Sequence, residues 1–146
     1  MSGIQSILRT IVNRNVERQL VKEFLMENTK GSGFGGLTIN RTPSGTSVKI
    51  LAERPGRVIG RKGKIINDLH LRLEEEFYLH NPGLSVVGFE DLDPKEDPTL
   101  NAQVMANKIA SALERGWYYR RAGASAAVNI MESGARGVIV TVAGKL

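Results

Sequence analysis

The stretch Val58-Ile59-Gly60-Arg61-Lys62-Gly63-Lys64-Ile65-Ile66 constrains the fold more than any other part of the chain. Two glycines bracket two cations, with β-branched apolar pairs before and after. Because Gly60 and Gly63 carry no side chain, the backbone N–H groups of such a turn can approach a phosphate closely. A helix starting near Lys64 points its positive end at the same place. Arg61 and Lys62 cannot bury their charges between the glycines, so they face solvent or phosphate. The stretch reads as a clamp for nucleic acid.

The charge pattern around it supports that reading. The chain has a net charge of +5, but residues 74–98 carry eight acids against one lysine, a balance of −7. The remainder holds 19 bases against 7 acids, or +12, and five bases with no acid fall between Arg54 and Lys64 (Arg54, Arg57, Arg61, Lys62, Lys64). Such concentration suits a polyanion, since phosphate contacts add through counterion release, although a solvated basic face would show the same composition. With no cysteine there are no disulfides and no thiolate metal site. No apolar run approaches a membrane span and the first residues lack a signal-peptide pattern, so cytoplasm is the expected location.

Spacing predicts the elements. Ile4, Ile7, Leu8, Ile11 and Val12 recur with a helical period, as do Val16, Leu20, Phe24 and Leu25 beyond Asn13 and Asn15, which suggests two amphipathic helices. The glycine-rich run 31–36 ends the second. Leu37–Arg41 and Ser47–Ala52 flank Pro43-Ser44-Gly45 as a hairpin, Pro55 opens a short helix over 54–59, and Ile66, Leu69, Leu73 and Phe77 mark a helix ending at Asn81-Pro82-Gly83. Leu84–Phe89 reads as a strand. The acidic, proline-bearing segment 91–98 is the expected boundary between a domain at 1–96 and another at 97–146. Beyond it, Asp97 or Thr99 caps a helix striped with Leu100, Val104, Ile109 and Leu113. Gly123 interrupts that helix, an alanine-rich helix runs to Ser133-Gly134, and Gly137–Ala143 is a strand.

Val58-Ile59-Gly60-Arg61-Lys62-Gly63 followed by Ile66 resembles the VIGxxGxxI signature of KH domains. Its position, after a hairpin and between two helices that lead to a strand, resembles the type II arrangement. The resemblance implies an α+β fold, a small sheet with helices on one face, whose loop clamps about four nucleotides beside an apolar groove. It makes Val58, Ile59, Ile65 and Ile66 groove or core residues, and Arg61 and Lys62 phosphate contacts.

Over nearly the whole chain there is a second resemblance, to the universal S-three family of small-subunit ribosomal proteins in its archaeal and eukaryotic form. It is carried by Ile39-Asn40-Arg41-Thr42-Pro43, Glu53-Arg54-Pro55-Gly56, Asn101-Ala102-Gln103-Val104-Met105-Ala106, Leu113-Glu114-Arg115-Gly116, Tyr119-Arg120-Arg121-Ala122, Gly137-Val138 and Gly144-Lys145-Leu146. The family sits in the head of the small subunit, holds ribosomal RNA and lines the mRNA entrance with basic residues of its second domain. Bacterial members carry a lysine three residues after the arginine pair; Ala124 stands there in this chain, so only Arg120 and Arg121 carry over, as contacts to mRNA or rRNA. Members also continue past Gly-Lys-Leu with further strands. The expectation is therefore a partial C-terminal α/β domain, shortened or with its strand completed by pairing elsewhere.

Other motifs fail on context. Gly31-Ser32-Gly33-Phe34-Gly35-Gly36 satisfies GxGxxG, but a dinucleotide loop needs a strand before it and a helix after it, the reverse of the order here. Gly63-Lys64 lacks the earlier glycine of a P-loop. Asp91-Leu92-Asp93 fails as a calcium loop at Lys95 and Glu96, and His70 and His80 have no partners for a zinc set. Trp117, Tyr118 and Tyr119 beside Arg120 and Arg121 could stack on bases; at helical spacing, Trp117 and at least one tyrosine read rather as core. The sequence thus suggests a non-enzymatic constituent of the small ribosomal subunit, without catalytic residues, metal, cofactor, small-molecule substrate or membrane. Its partners would be small-subunit rRNA, mRNA at the entrance and neighbouring proteins of the subunit head. A free-standing KH regulator is the alternative, and a nucleic-acid lyase using a lysine nucleophile a more remote one.

Overall fold

The computed structural model describes residues 2–77, 79, 81–91 and 97–145. Segment 92–96, where the sequence places the domain boundary, and His80 lie outside the described residues.

One helix, α1 (Ser2–Asn28), replaces the two expected at the N-terminus. The break inferred at Asn13 and Asn15 does not occur, because each asparagine costs a helix only a fraction of a kcal/mol, roughly 0.7 at most. Apolar residues spaced by four precess about 40° per step around a helix of 3.6 residues per turn, so Val16, Leu20 and Phe24 wind away from the face of Ile4–Val12 without any interruption. Only the second half of α1 joins the body: Val21 and Leu25 are fully buried, whereas Ile4, Ile7, Leu8, Ile11, Val12, Val16 and Leu20 are exposed.

α1 ends where hydroxyls take over its last carbonyls. Thr29 Oγ1 donates to the Leu25 carbonyl and the buried Ser32 Oγ to the Thr29 carbonyl, each at 2.6 Å. Gly31 and Gly33, at φ +82° and +71°, turn the chain into β1 (Phe34–Thr42), which pairs antiparallel with β2 (Gly45–Ala52). A bulge between Phe34 and Gly36 shifts the register. Gly35 there lies against Phe89, and a Cβ would fall 2.6 Å from its ring.

β3 (Pro82–Gly88) pairs with β2 in parallel, Ile50 opposite Val86, giving the order β1-β2-β3. Parallel strands require a crossover. Here it is α2 (Pro55–Ile59), a single turn over Arg61–Gly63, and α3 (Lys64–Phe77). The core lies between sheet and helices, formed by Val21, Leu25, Phe34, Val48, Ile50, Val58, Leu69 and Leu73, with Phe24 and Phe77 meeting edge to face at 5.3 Å.

Downstream, Asp97 starts a one-turn helix (Pro98–Leu100) by accepting from the Thr99 N–H at 2.8 Å. α4 (Ala102–Glu114) is capped by Asn101, whose Oδ1 accepts from the N–H groups of Gln103 and Val104. The cap of α4 is thus Asn101, not the Asp97 or Thr99 that the sequence suggests. The helical stretch breaks at Gly116 (φ +87°), not at Gly123, which sits inside α5 (Tyr119–Glu132). α4 packs on β1: Asn101 Nδ2 donates to the Gly35 carbonyl at 3.1 Å, and Lys108 Nζ lies 2.9 Å from Glu53 Oε1. Gly137–Ala143 is not a strand. It pairs with no strand among the described residues, and Ile139 is 94 % exposed. Its β-branched residues favour a strand only where another edge accepts their N–H and C=O groups.

Candidate nucleic-acid interface

The glycine turn is built by the crossover. Pro55 starts α2 with its fixed φ, and Val58 (1 % exposed) anchors the helix to the core. α2 ends at Gly60, whose N–H donates to the Gly56 carbonyl at 3.0 Å. Gly60 has φ +74° and ψ 177°, a region open essentially to glycine, and the space of a Cβ is taken by Ile65 Cγ1 at 2.6 Å. Gly63 also has positive φ, +74°. Between them Lys62 sits at φ +56°, ψ 28°, left-handed backbone that a side chain seldom adopts, and this swings consecutive residues to the outside of the bend.

Arg61, Lys62 and Lys64 are all exposed, and among the described residues none has a carboxylate at ion-pair distance. α3 begins at Lys64, whose own N–H donates to the Arg61 carbonyl, and the positive end of the helix faces the loop. Three cations and a helix terminus therefore converge on one bend with no competing acid.

The expected apolar neighbours divide. Val58 is core and Ile66 half-buried, whereas Ile59 and Ile65 are 39 % and 42 % exposed and do not belong to the core. They lie beside the cations, where an apolar groove would need them. Sequence could not separate the four, because two adjacent isoleucines on a helix point about 100° apart and only one can face inward.

Arg54 and Arg57, expected with the loop, are placed elsewhere. Arg57 Nη1 donates to the Gly31 carbonyl at 3.1 Å, and both arginines line a cleft of about 740 Å³ between the end of α1, α2 and α4. Trp117 opens onto the same cleft, 49 % exposed. Trp117 is not the core residue that helical spacing suggests, because the break at Gly116 ends α4 before it; of the tyrosines, Tyr118 is 60 % exposed and Tyr119 half-buried. Arg121 lies over the Trp117 ring at 5.4 Å and Arg120 over Tyr119 at 5.7 Å, so the two candidate RNA contacts are held by cation–π pairs. Sequence reasoning missed Asn101, Asn107 and the Glu53–Lys108 pair, which fasten α4 to the sheet. An asparagine directly before an apolar-periodic run signalled the first; nothing local signalled the others.

No group of three His, Asp or Glu side chains is placed to hold a metal ion, and no helix is long and apolar enough to cross a membrane, among the described residues.

The pattern of a hairpin, a crossover with a GxxG bend and a parallel third strand is that of a type II KH fold, and residues 20–86 match the family described as KH domain. Residues 109–146 match the family described as Ribosomal protein S3, C-terminal domain. The chain is 41 % identical to small ribosomal subunit protein uS3 of Methanocella arvoryzae over 141 residues, 97 % of this chain and 48 % of the relative. Against the uS3 of Archaeoglobus fulgidus identity is 43 %, covering 97 % of this chain and 58 % of the relative. For Methanocaldococcus jannaschii uS3 the figures are 43 %, 96 % and 64 %. The chain resembles archaeal uS3. It does so across both matched regions, and spans 48–64 % of these three relatives' lengths.

Proposed function

We propose that the chain is a structural, non-enzymatic constituent of the small ribosomal subunit that binds rRNA through its KH domain, in the cytoplasmic ribosome. The observation that carries this is the bend itself: Gly60 and Gly63 at positive φ, Arg61, Lys62 and Lys64 exposed without acidic partners, and the start of α3 aimed at the same point. Similarity to uS3 over nearly the whole chain supports the ribosomal setting.

In finer terms, Gly60, Arg61, Lys62, Gly63 and Lys64 hold phosphates, Ile59, Ile65 and Ile66 form the apolar side of the base groove, and Val58 secures the helix behind them. Arg54 and Arg57 extend the basic track. Arg120 and Arg121 face rRNA or mRNA where it enters, and neighbouring proteins of the subunit head complete the surroundings. The KH part occupies 1–96 and the second domain 97–146.

Reversing two charges at the bend tests the proposal. Arg61→Asp with Lys62→Asp should weaken binding to single-stranded RNA while leaving cooperative unfolding intact, because neither side chain is buried. Equal loss of fold would make the loop structural instead. In a sucrose gradient the chain should co-sediment with the small subunit in stoichiometric amount. Recovery outside ribosomal particles would favour a free-standing KH regulator, and a borohydride-trapped adduct on abasic nucleic acid would reveal a lyase.

A further inference from the structure

The cleft between α1, α2 and α4 is not part of the glycine bend, yet it shares a helix with it. Arg57 lies on α2 and Arg54 immediately before it, and both line the cleft, while the same helix ends at Gly60. Five helical residues span about 7.5 Å. That is a separation on the order of two nucleotides at roughly 3.4 Å per nucleotide of a stacked strand.

The lining is mixed. Lys108 is held by Glu53 at 2.9 Å and Arg57 is steadied through Nη1 by the Gly31 carbonyl, so Lys30, Arg54, Arg115 and the remaining N–H groups of Arg57 face the space with Glu23, Glu27 and Glu114. Phe34 and Val104 supply an apolar floor and Trp117 an aromatic side. Four cations against three carboxylates leave the space nearly balanced in charge, which suits a nucleotide, since it carries an anion at one end and N–H donors on its base that Glu can accept. The cleft's volume is also in the range of small-ligand sites, roughly 300–1,000 Å³.

Trp117 is half exposed on the surface of a 146-residue chain, with Arg121 over its ring. The arginine packs on the indole, which is half exposed and lines the cleft. Base-on-aromatic stacking is the standard use of such a ring in proteins that hold single strands.

We propose that this cleft takes a nucleotide of the same single-stranded RNA that the glycine bend holds, its phosphate on Arg54 and Arg57 and its base stacked on Trp117. The proposal rests on the reading of the bend as an RNA clamp. It extends the recognised strand beyond the loop and gives Arg54, Arg57 and Trp117 one shared role.

Trp117 is the only tryptophan, so its emission reports this cleft alone. The whole chain is titrated with end-labelled single-stranded RNA of about four and about ten nucleotides, the shorter matching the span of a KH loop. Label anisotropy is followed beside tryptophan emission. Both RNAs should raise anisotropy, but only the longer should quench Trp117 strongly. Trp117→Leu should lower affinity for the longer RNA about fivefold or more, leave the shorter one and the unfolding midpoint unchanged, and be rescued by Trp117→Phe. Binding of the longer RNA with unchanged emission would overturn the proposal while the clamp survives. So would equal affinity of Trp117→Leu and the original chain for it. If neither RNA raises anisotropy, clamp and cleft fall together.

Discussion

At the scale of single residues, the two glycines of the bend are not equivalent. Both have positive φ, but a Cβ on Gly60 would strike Ile65, whereas one on Gly63 meets Ile66 and Asn67 only at ordinary contact distance, 3.8 and 4.0 Å. Gly60→Ala should therefore cost about 2–3 kcal/mol of stability and Gly63→Ala about 1, read from urea unfolding. A reversed order would mean that Ile65 moves aside freely. Asp97 offers a second check. The Thr99 N–H holds its carboxylate below the ordinary value of 3.8, aided by the Thr99 hydroxyl. The resulting stabilisation is present above the unfolded-state value and disappears as pH falls through the lower folded-state value. Asp97→Asn should accordingly flatten a small part of the acid limb of the stability profile below 3.8, small because the group is exposed. Identical acid limbs would show that the bond adds nothing. The residues of the bend were legible because glycine and cation types declare themselves. The exposure of Trp117 was not, since it depends on where α4 stops.

Elements were read well where they begin and end on strong chemistry. The hairpin, α2, α3 and β3 follow from Pro43-Ser44-Gly45, Pro55, the Leu69–Leu73 stripe and Asn81-Pro82, and all four are present. Errors arose where a local pattern depends on a distant surface. α1 runs on past its asparagines because helix continuation is cheap, and 137–143 lacks the edge that would make it a strand. The start of α4 allows a clean separation of two roles of one side chain. Asn101 caps the helix through Oδ1 and ties it to β1 through Nδ2. Asn101→Ala should lose about 1 kcal/mol from the cap alone, and more if the tie matters. Asn101→Asp keeps the acceptor and loses the donor, so its deficit by thermal unfolding measures the tie to the Gly35 carbonyl. Equal midpoints for the aspartate variant and the original chain would show the tie to be without weight.

For the molecule as a whole, the separation of charge matters more than its sum. The net +5 divides into an acidic stretch at 74–98 and a remainder of +12, and the described structure puts Arg61, Lys62 and Lys64 at a bend free of acids. If about five cations engage phosphates, log K against log salt for single-stranded RNA should have a slope of about −3.5. Binding indifferent to salt would remove the electrostatic basis of the interface. Class and approximate topology were legible, because the glycine motif, the hairpin before it and the strand after it constrain one another. The attachment of α4 was not, since it rests on pairs such as Asn107 with the Phe34 carbonyl, far apart in sequence and ordinary in type.

The parallel pairing of β2 with β3 also sets an order of events in time. The hairpin closes locally, but Ile50 can meet Val86 only after the whole crossover has been drawn in, and the glycine bend lies in the middle of that loop. Closing a loop that long costs chain entropy before its contacts repay it. A newly made chain would then acquire its grip on RNA in the same step that completes the sheet. RNA bound as proposed would in turn favour the folded chain, by about 2.7 kcal/mol at a hundredfold excess over Kd. RNA would in this way act as a folding partner, retaining those molecules that have finished and letting go of those that have not.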